Sequence, residues 1–188
     1  MKTRALRGLI ILLLSVSPMA GQPALSQNLP SALQTPTKVT APLVDTSHWK
    51  TYRNEKHGFE VKYPETWGVH MGSGIGPDII SLNSPLAVGQ PNASLTLAIQ
   101  RGQNPRKLSI EEWFTAQLQA TKATPDSSGR VIIGGQPAMF MENTNSFGKN
   151  RDTFTLLHET SVLSLSYFRQ AQFDQTCAAI VSSFRVVN

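Results

Sequence analysis

The segment Trp49–Trp67, WKTYRNEKHGFEVKYPETW, constrains what this chain can fold into more than any other stretch. Phe59, Val61 and Tyr63 alternate with Glu60 and Lys62, and a period of two puts an apolar face and a charged face on one strand. Gly58 opens that strand and Pro64 closes it, because proline has no N–H to give to a sheet ladder. The chain has to turn at Pro64, which lets Trp67 fold back onto the apolar face. The segment therefore marks the start of a packed domain and one corner of its core.

Upstream, two compositions follow one another. Lys2, Arg4 and Arg7 precede an apolar run from Leu9 to Leu14 that reaches Val16, and small and turn-forming residues come next, which is the pattern of a secretory signal. A membrane-spanning helix needs about 20 mostly apolar residues. Ser15, Ser17, Pro18 and Gly21 break the run before that length, so an uncleaved anchor is the weaker reading. Cleavage after Ala20 is one option; the pair Ala24 and Ser26 fits an A-x-A-like site better and gives a signal over 1–26. The signal region has no cysteine for lipid attachment. The expected product is soluble, periplasmic or secreted, with no stable membrane span after cleavage. Residues 27–46 include Pro30, Pro36 and Pro42, no aromatic residue and only Lys38 and Asp45 as charges, which predicts a flexible Pro-rich linker. The domain is placed at 47–188, a length that buries roughly two-thirds of its unfolded surface.

The formal charge of +5 overstates the field of the mature protein. The 17 basic residues fall to 14 when Lys2, Arg4 and Arg7 leave, against 12 acidic ones. A balance that close to zero gives little steering toward nucleic acid, and none is expected as a partner. Cys177 is the only cysteine, so the core holds the fold without an intramolecular disulfide.

Within the domain, apolar alternation recurs in Phe59–Tyr63, Asp78–Leu82, Leu95–Ile99, Val131–Ile133, Ala138–Met141, Phe154–Leu157 and Val162–Phe168. Gly, Pro, Asn and Ser clusters separate these runs, which predicts an antiparallel sheet of six or seven strands. Two stretches have helical spacing instead. Ser109 precedes Ile110, Trp113, Phe114, Gln117 and Leu118, with Glu112 completing a capping box and Leu108 stapling onto Trp113. Phe173, Cys177, Ile180, Val181 and Phe184 form a second apolar stripe. Both stripes need the sheet as cover, so the fold class is α+β, an antiparallel sheet flanked by helices.

Tyr52, Gly58, Phe59, Tyr63, Pro64 and Trp67, the turn Gly134-Gly135-Gln136-Pro137-Ala138 and the ending Ile180-Val181-Ser182-Ser183-Phe184 together resemble the PsbP-like superfamily. That superfamily includes the extrinsic photosystem II protein, a Ran-binding nuclear import factor and DcrB-like bacterial envelope proteins. The resemblance spans about Trp49 to Val187 and implies an α/β/α sandwich. It also implies a noncatalytic binding or assembly role, and carries no functional residues with it.

The residues themselves point to no reactive constellation. His48, His57, His70 and His158 contain no i, i+3 or i, i+4 pair, and His70 with Asp78 across a hairpin is the one approach that could begin a metal site; no metal or cofactor is expected. The loop Gly72–Pro77, centred on Gly74, departs from G-x-G-x-x-G and precedes a strand, so it reads as a hairpin loop that could carry a binding surface. No G-x-S-x-G elbow occurs, and Cys177 on an apolar helix stripe is expected to be inert. Glu111 and Glu112 suit the first turn of a helix. Arg101, Arg106 and Lys107 flank Pro105, while Lys149 and Arg151 flank a hairpin tip; brought together they would make a basic patch for a phosphate, a lipid headgroup or an acidic partner. The function expected is that of an exported, noncatalytic protein that binds an envelope protein in assembly or stabilisation. A small-ligand or lipid-binding module, with an apolar pocket between sheet and helix, is the alternative. A hydrolase with an unrecognised site comes last.

Overall fold

The computed structural model describes residues 44–72, 78–86, 88–89, 91–158 and 160–187. The chain divides after Leu33, and every described residue belongs to the second unit, Gln34–Asn188. The signal, the linker up to residue 43 and Gly74 lie outside the described residues.

Among the described residues, ten strands and two helices follow one another. They are β1 (Lys50–Asn54), β2 (Phe59–Tyr63), β3 (Gly68–Gly72), β4 (Asp78–Asn83), β5 (Ser94–Gln100), α1 (Ile110–Thr121), β6 (Ser127–Ile133), β7 (Gln136–Asn145), β8 (Gly148–His158), β9 (Ser161–Phe168), α2 (Asp174–Ser182) and β10 (Arg185–Val186). A seven-stranded sheet has the order β3-β4-β5-β9-β8-β7-β6, and a smaller one has the order β1-β2-β10. Every pairing is antiparallel. The α+β class and the seven-stranded sheet agree with the sequence reading.

One strand sits elsewhere than its alternation suggests. Phe59–Tyr63 is not in the large sheet: it is the middle strand of the small one, between β1 and β10. The reason is the turn at Pro64, where the Trp67 N–H donates to the Pro64 carbonyl at 2.9 Å and sends the chain into another layer. The large sheet regains its seventh strand from β3, Gly-Val-His-Met-Gly, whose residues are mostly exposed and carry no apolar period. Register, alternation and burial otherwise hold in β2. Phe59 and Val61 have 0% exposure, and Glu60 faces outward to Arg185 at 2.8 Å.

The main core lies between the inner face of the large sheet and a layer made by the small sheet and α2. Leu82, Leu95, Leu97, Ile99, Leu163 and Leu165 pack there against Phe59, Val61, Trp67, Cys177, Ile180 and Phe184. On the outer face, α1 covers β7 and β8 through Ile110, Trp113 and Phe114, which meet Met139, Phe154 and Val162. The capping box forms as expected: Glu112 N–H donates to Ser109 Oγ at 3.3 Å, and Ser109 N–H donates to Glu112 Oε2 at 3.0 Å.

The turn between β6 and β7 is keyed into the end of α2. Gly134 has φ +52°, and a Cβ built there would lie 1.8 Å from the Phe184 carbonyl oxygen; Gly135 has φ +80° with open space around it. Both glycines avoid left-handed strain of about 1–2 kcal/mol, and Gly134 alone avoids a backbone collision. Gly134→Ala is therefore expected to destabilise the domain by about 4 kcal/mol or more, against roughly 1–2 kcal/mol for Gly135→Ala. Urea unfolding of the two variants measures the difference, and equal losses would contradict the keyed turn.

Candidate functional site

Antiparallel register places Glu142 of β7 opposite Arg151 of β8, and Arg151 opposite Tyr167 of β9. The pleat turns all three to the inner face, because Glu142 continues the inward series Ala138, Phe140, and Arg151 precedes the buried Thr153. The row thus begins where the apolar core ends. Glu142, with 7% of its side chain exposed, accepts from Lys149 at 2.9 Å, Arg151 at 2.9 Å and Arg169 at 3.0 Å. Arg169 also forks onto Asp174 of α2, with Nε at 2.9 Å and Nη2 at 2.7 Å from Oδ2. Arg151 lies 4.0 Å above the Phe140 ring. Burial pushes the Glu142 carboxyl up, but the hydrogen bonds from Lys149 and Arg151 and the charge of Arg169 outweigh it and hold the group below its ordinary value.

A cavity of about 300 Å³ opens beside this cluster, between α2 and the sheet. Val131, Ile133, Ala178 and Val181 give it apolar walls, and Thr153, Tyr167, Arg151 and Arg169 reach it from the sheet side. Its size is at the lower end of ligand pockets, about 300–1,000 Å³. Thr153 is 1% exposed and Tyr167 6%, and neither hydroxyl bonds to another described residue. Every fully buried side-chain N or O atom among the described residues has a hydrogen-bond partner, so neither of these hydroxyl oxygens is fully enclosed, and both residues line the cavity. Burial pushes the Tyr167 phenol up to about 12, which keeps its O–H a donor.

The structure separates the sequence-predicted basic residues. Lys149 and Arg151 meet at Glu142. Arg101 lies past the opposite end of β5: Gln100 pairs with Val162 and Arg151 with Tyr167, which sets them about 17 Å apart along β9. Arg106 and Lys107 belong to the turn before α1, where Arg106 lines a separate depression with Trp113; the Glu112 carboxyl there is held below its ordinary value by the backbone and side-chain hydrogen bonds of Ser109, with a smaller contribution from the charge of Arg106. The five do not form one patch, because strand register fixes them at different ends of the sheet. Nor does His70 meet Asp78; it pairs with Ser81 in the ladder, and the partner of Asp78 is His57 at 2.6 Å. Lys56 at 2.9 Å and Arg101 at 4.0 Å complete that cluster. No group of three or more metal-ligating side chains occurs among the described residues. Cys177 is fully buried and its thiol is pushed up to about 12, as an inert core residue requires. Glu111 pairs with Arg130 at 2.6 Å.

Sequence reasoning missed Glu142, Thr153, Tyr167, Arg169 and Asp174. Two of them were within reach, since Glu142 and Thr153 sit at even spacing from buried apolar neighbours and so had to face inward. Arg169 and Asp174 follow only from the turn that joins β9 to α2.

The Asp78 cluster has a pH signature. Hydrogen bonds from Lys56 and His57 outweigh burial and pull its carboxyl from 3.8 to about 2. A carboxyl lowered in the folded state stabilises above its unfolded value and loses that contribution as pH falls through the folded one. Asp78→Asn is expected to flatten the loss of stability between pH 3.8 and about 2. Urea unfolding across that window tests it, and curves parallel to the parent's would count against the cluster.

No family model matches the chain, and no curated protein matches it. Among solved structures, the solution structure of cyanobacterial PsbP from Synechocystis aligns with a TM-score of 0.50 at 14% identity, over 78% of this chain and 97% of that one. A crystal structure from Bacteroides thetaiotaomicron gives 0.49 at 11% identity, over 75% of this chain and 49% of that one. A protein of unknown function from Pseudomonas aeruginosa gives 0.40 at 16%, over 67% and 86%. Likeness at such identities concerns the fold alone, and the match to cyanobacterial PsbP, which spans almost all of its counterpart, is the one that carries it: the chain has a PsbP-like fold.

Proposed function

We propose that this chain is an exported, noncatalytic binding protein whose working site is the cavity under α2, and that the site takes up a compact amphiphilic small molecule. One observation carries the reading. Thr153 and Tyr167, residues more than nine-tenths buried, bring hydroxyls that bond no other described residue to an otherwise largely apolar cavity. Hydroxyls that no protein group satisfies can still donate and accept, so the cavity suits a guest with polar atoms at one end. Export is supported by the N-terminal pattern of Lys2, Arg4 and Arg7 before an apolar run. The noncatalytic part is supported by the structural employment of Cys177, Glu111 and Glu112, which were the reactive side chains worth weighing.

A second reading, binding to an envelope protein during assembly, is favoured by one feature. Phe147 at the tip of the β7–β8 hairpin is 85% exposed and lies two residues from Lys149, which pairs with Glu142 beside the cavity. The fold does not distinguish a small guest from a protein partner, because PsbP-like architecture is a scaffold and the site decides the function.

Thermal melting with a panel of short-chain carboxylates, alcohols and amines tests the first reading, with the cavity-filling variant Ala178→Phe as control. A guest at a hundredfold over its Kd adds about 2.7 kcal/mol. A rise in melting temperature is expected for at least one compound with the parent and for none with Ala178→Phe. No rise with any compound, or an equal rise in both proteins, would remove the cavity as the working site; a captured partner lost on Phe147→Ser would then favour the second reading.

A further inference from the structure

The cavity also states what kind of head group it takes, an inference that rests on the small-molecule reading just given. The carboxylates beside it are already used, while Gln175 of α2, which also lines it, carries an amide that both donates and accepts. Glu142 receives Arg151 and Arg169 on Oε1 and Lys149 on Oε2. Asp174 receives Arg169 on Oδ2 and the Gln170 N–H on Oδ1 at 3.1 Å. Ser182, on the α2 wall, donates its hydroxyl to the Ala178 carbonyl at 2.8 Å.

The donors, by contrast, are in surplus. Arg151 spends only Nη1 on Glu142, which leaves its Nε and Nη2 hydrogens. The hydroxyls of Thr153 and Tyr167 are free, and Arg151, Thr153 and Tyr167 line the same cavity. Three cations, Lys149, Arg151 and Arg169, face two carboxylates, Glu142 and Asp174, so the mouth keeps one positive charge uncompensated. A head group matched to this set chiefly accepts hydrogen bonds and carries a single negative charge.

We propose that the cavity is a carboxylate site for a short-chain amphiphile. The carboxylate lies against the free edge of Arg151 and accepts from Tyr167 and Thr153, and the chain runs along Val131, Ile133, Ala178 and Val181. Glu142 is a positioning residue: by holding Arg151 through Nη1 it turns the other edge of the guanidinium to the guest. Charge-assisted hydrogen bonds are roughly twice as strong as neutral ones, so discrimination by head group is the signature to look for.

Calorimetric titration of the purified protein near neutral pH with hexanoate, 1-hexanol and hexylamine makes the test, alongside Tyr167→Phe and Thr153→Val, which remove one hydroxyl each and keep the shape. Hexanoate is expected to bind one to one, at least about tenfold more tightly than hexanol, with hexylamine weakest. Each variant is expected to weaken hexanoate about fivefold or more and hexanol less. Should a variant fail to fold, the comparison of the three compounds on the parent protein still decides. Hexanol or hexylamine binding as tightly as hexanoate would overturn the carboxylate assignment and leave the cavity reading standing. Absence of binding by all three, together with a flat melting response to the whole panel, would overturn both.

Discussion

The apolar layer between the seven-stranded sheet and the smaller sheet with α2 is the interaction on which everything else depends. The single cysteine is buried inside it, so no covalent bridge shares the task. Each large side chain fully buried there contributes about 1.5–3 kcal/mol, and Phe59, Leu97, Leu165, Ile180 and Phe184 are all at 0% exposure. Trp67 and Phe173 close one side of the layer edge to face, with ring centroids 6.1 Å apart. The layer also sets the height of α2 above the sheet. Where its large side chains give way to Thr153, Ala178 and the charged row at Glu142, the two surfaces no longer touch, and the cavity is the space left between them.

The charged row has an energetic logic of its own. Removing a carboxylate from water is expensive and is offset only by good geometry and full hydrogen bonding. Glu142 meets that condition with three cationic partners, all of which keep part of their surface in solvent. The cluster therefore earns less in stability than its contacts suggest, and more in definition. It fixes the orientation of Arg151, ties the β7–β8 hairpin to the start of α2 through Arg169 and Asp174, and leaves a cation with unused donors beside an apolar wall.

Much of this architecture could be read from the residues. Alternation found six strands of the large sheet, and the Ser109 and Glu112 pair located the start of α1, because each signal is local and has one physical cause. The strands that escaped are β1, β3 and β10. Lys50–Asn54 and Gly68–Gly72 are mostly exposed edge strands that owe their structure to one ladder partner each, and Arg185–Val186 is too short to show a period. The basic residues were recognised individually, yet their grouping was not legible. Lys149 and Arg151 share a hairpin and met as neighbours, whereas Arg101 was separated from them by a register that only long-range pairing sets. The same limit explains His57: it is distant in sequence from Asp78 and reaches it only because the small sheet lies against the large one.

β10 closes the small sheet with two residues. Arg185 pairs with Glu60 and Val186 with Phe59, and the Val187 N–H donates to the Gly58 carbonyl at 2.8 Å. The first hairpin described is thus completed by a strand from far along the chain. Such a pairing has the largest loop to close, and loop closure is paid before the contact rewards it. A nascent chain consequently leaves one edge of β2 open until β10 has been made, as would a chain cut just before Arg185. The order of synthesis and the order of pairing are decoupled here: β2, made early, has to wait for β10.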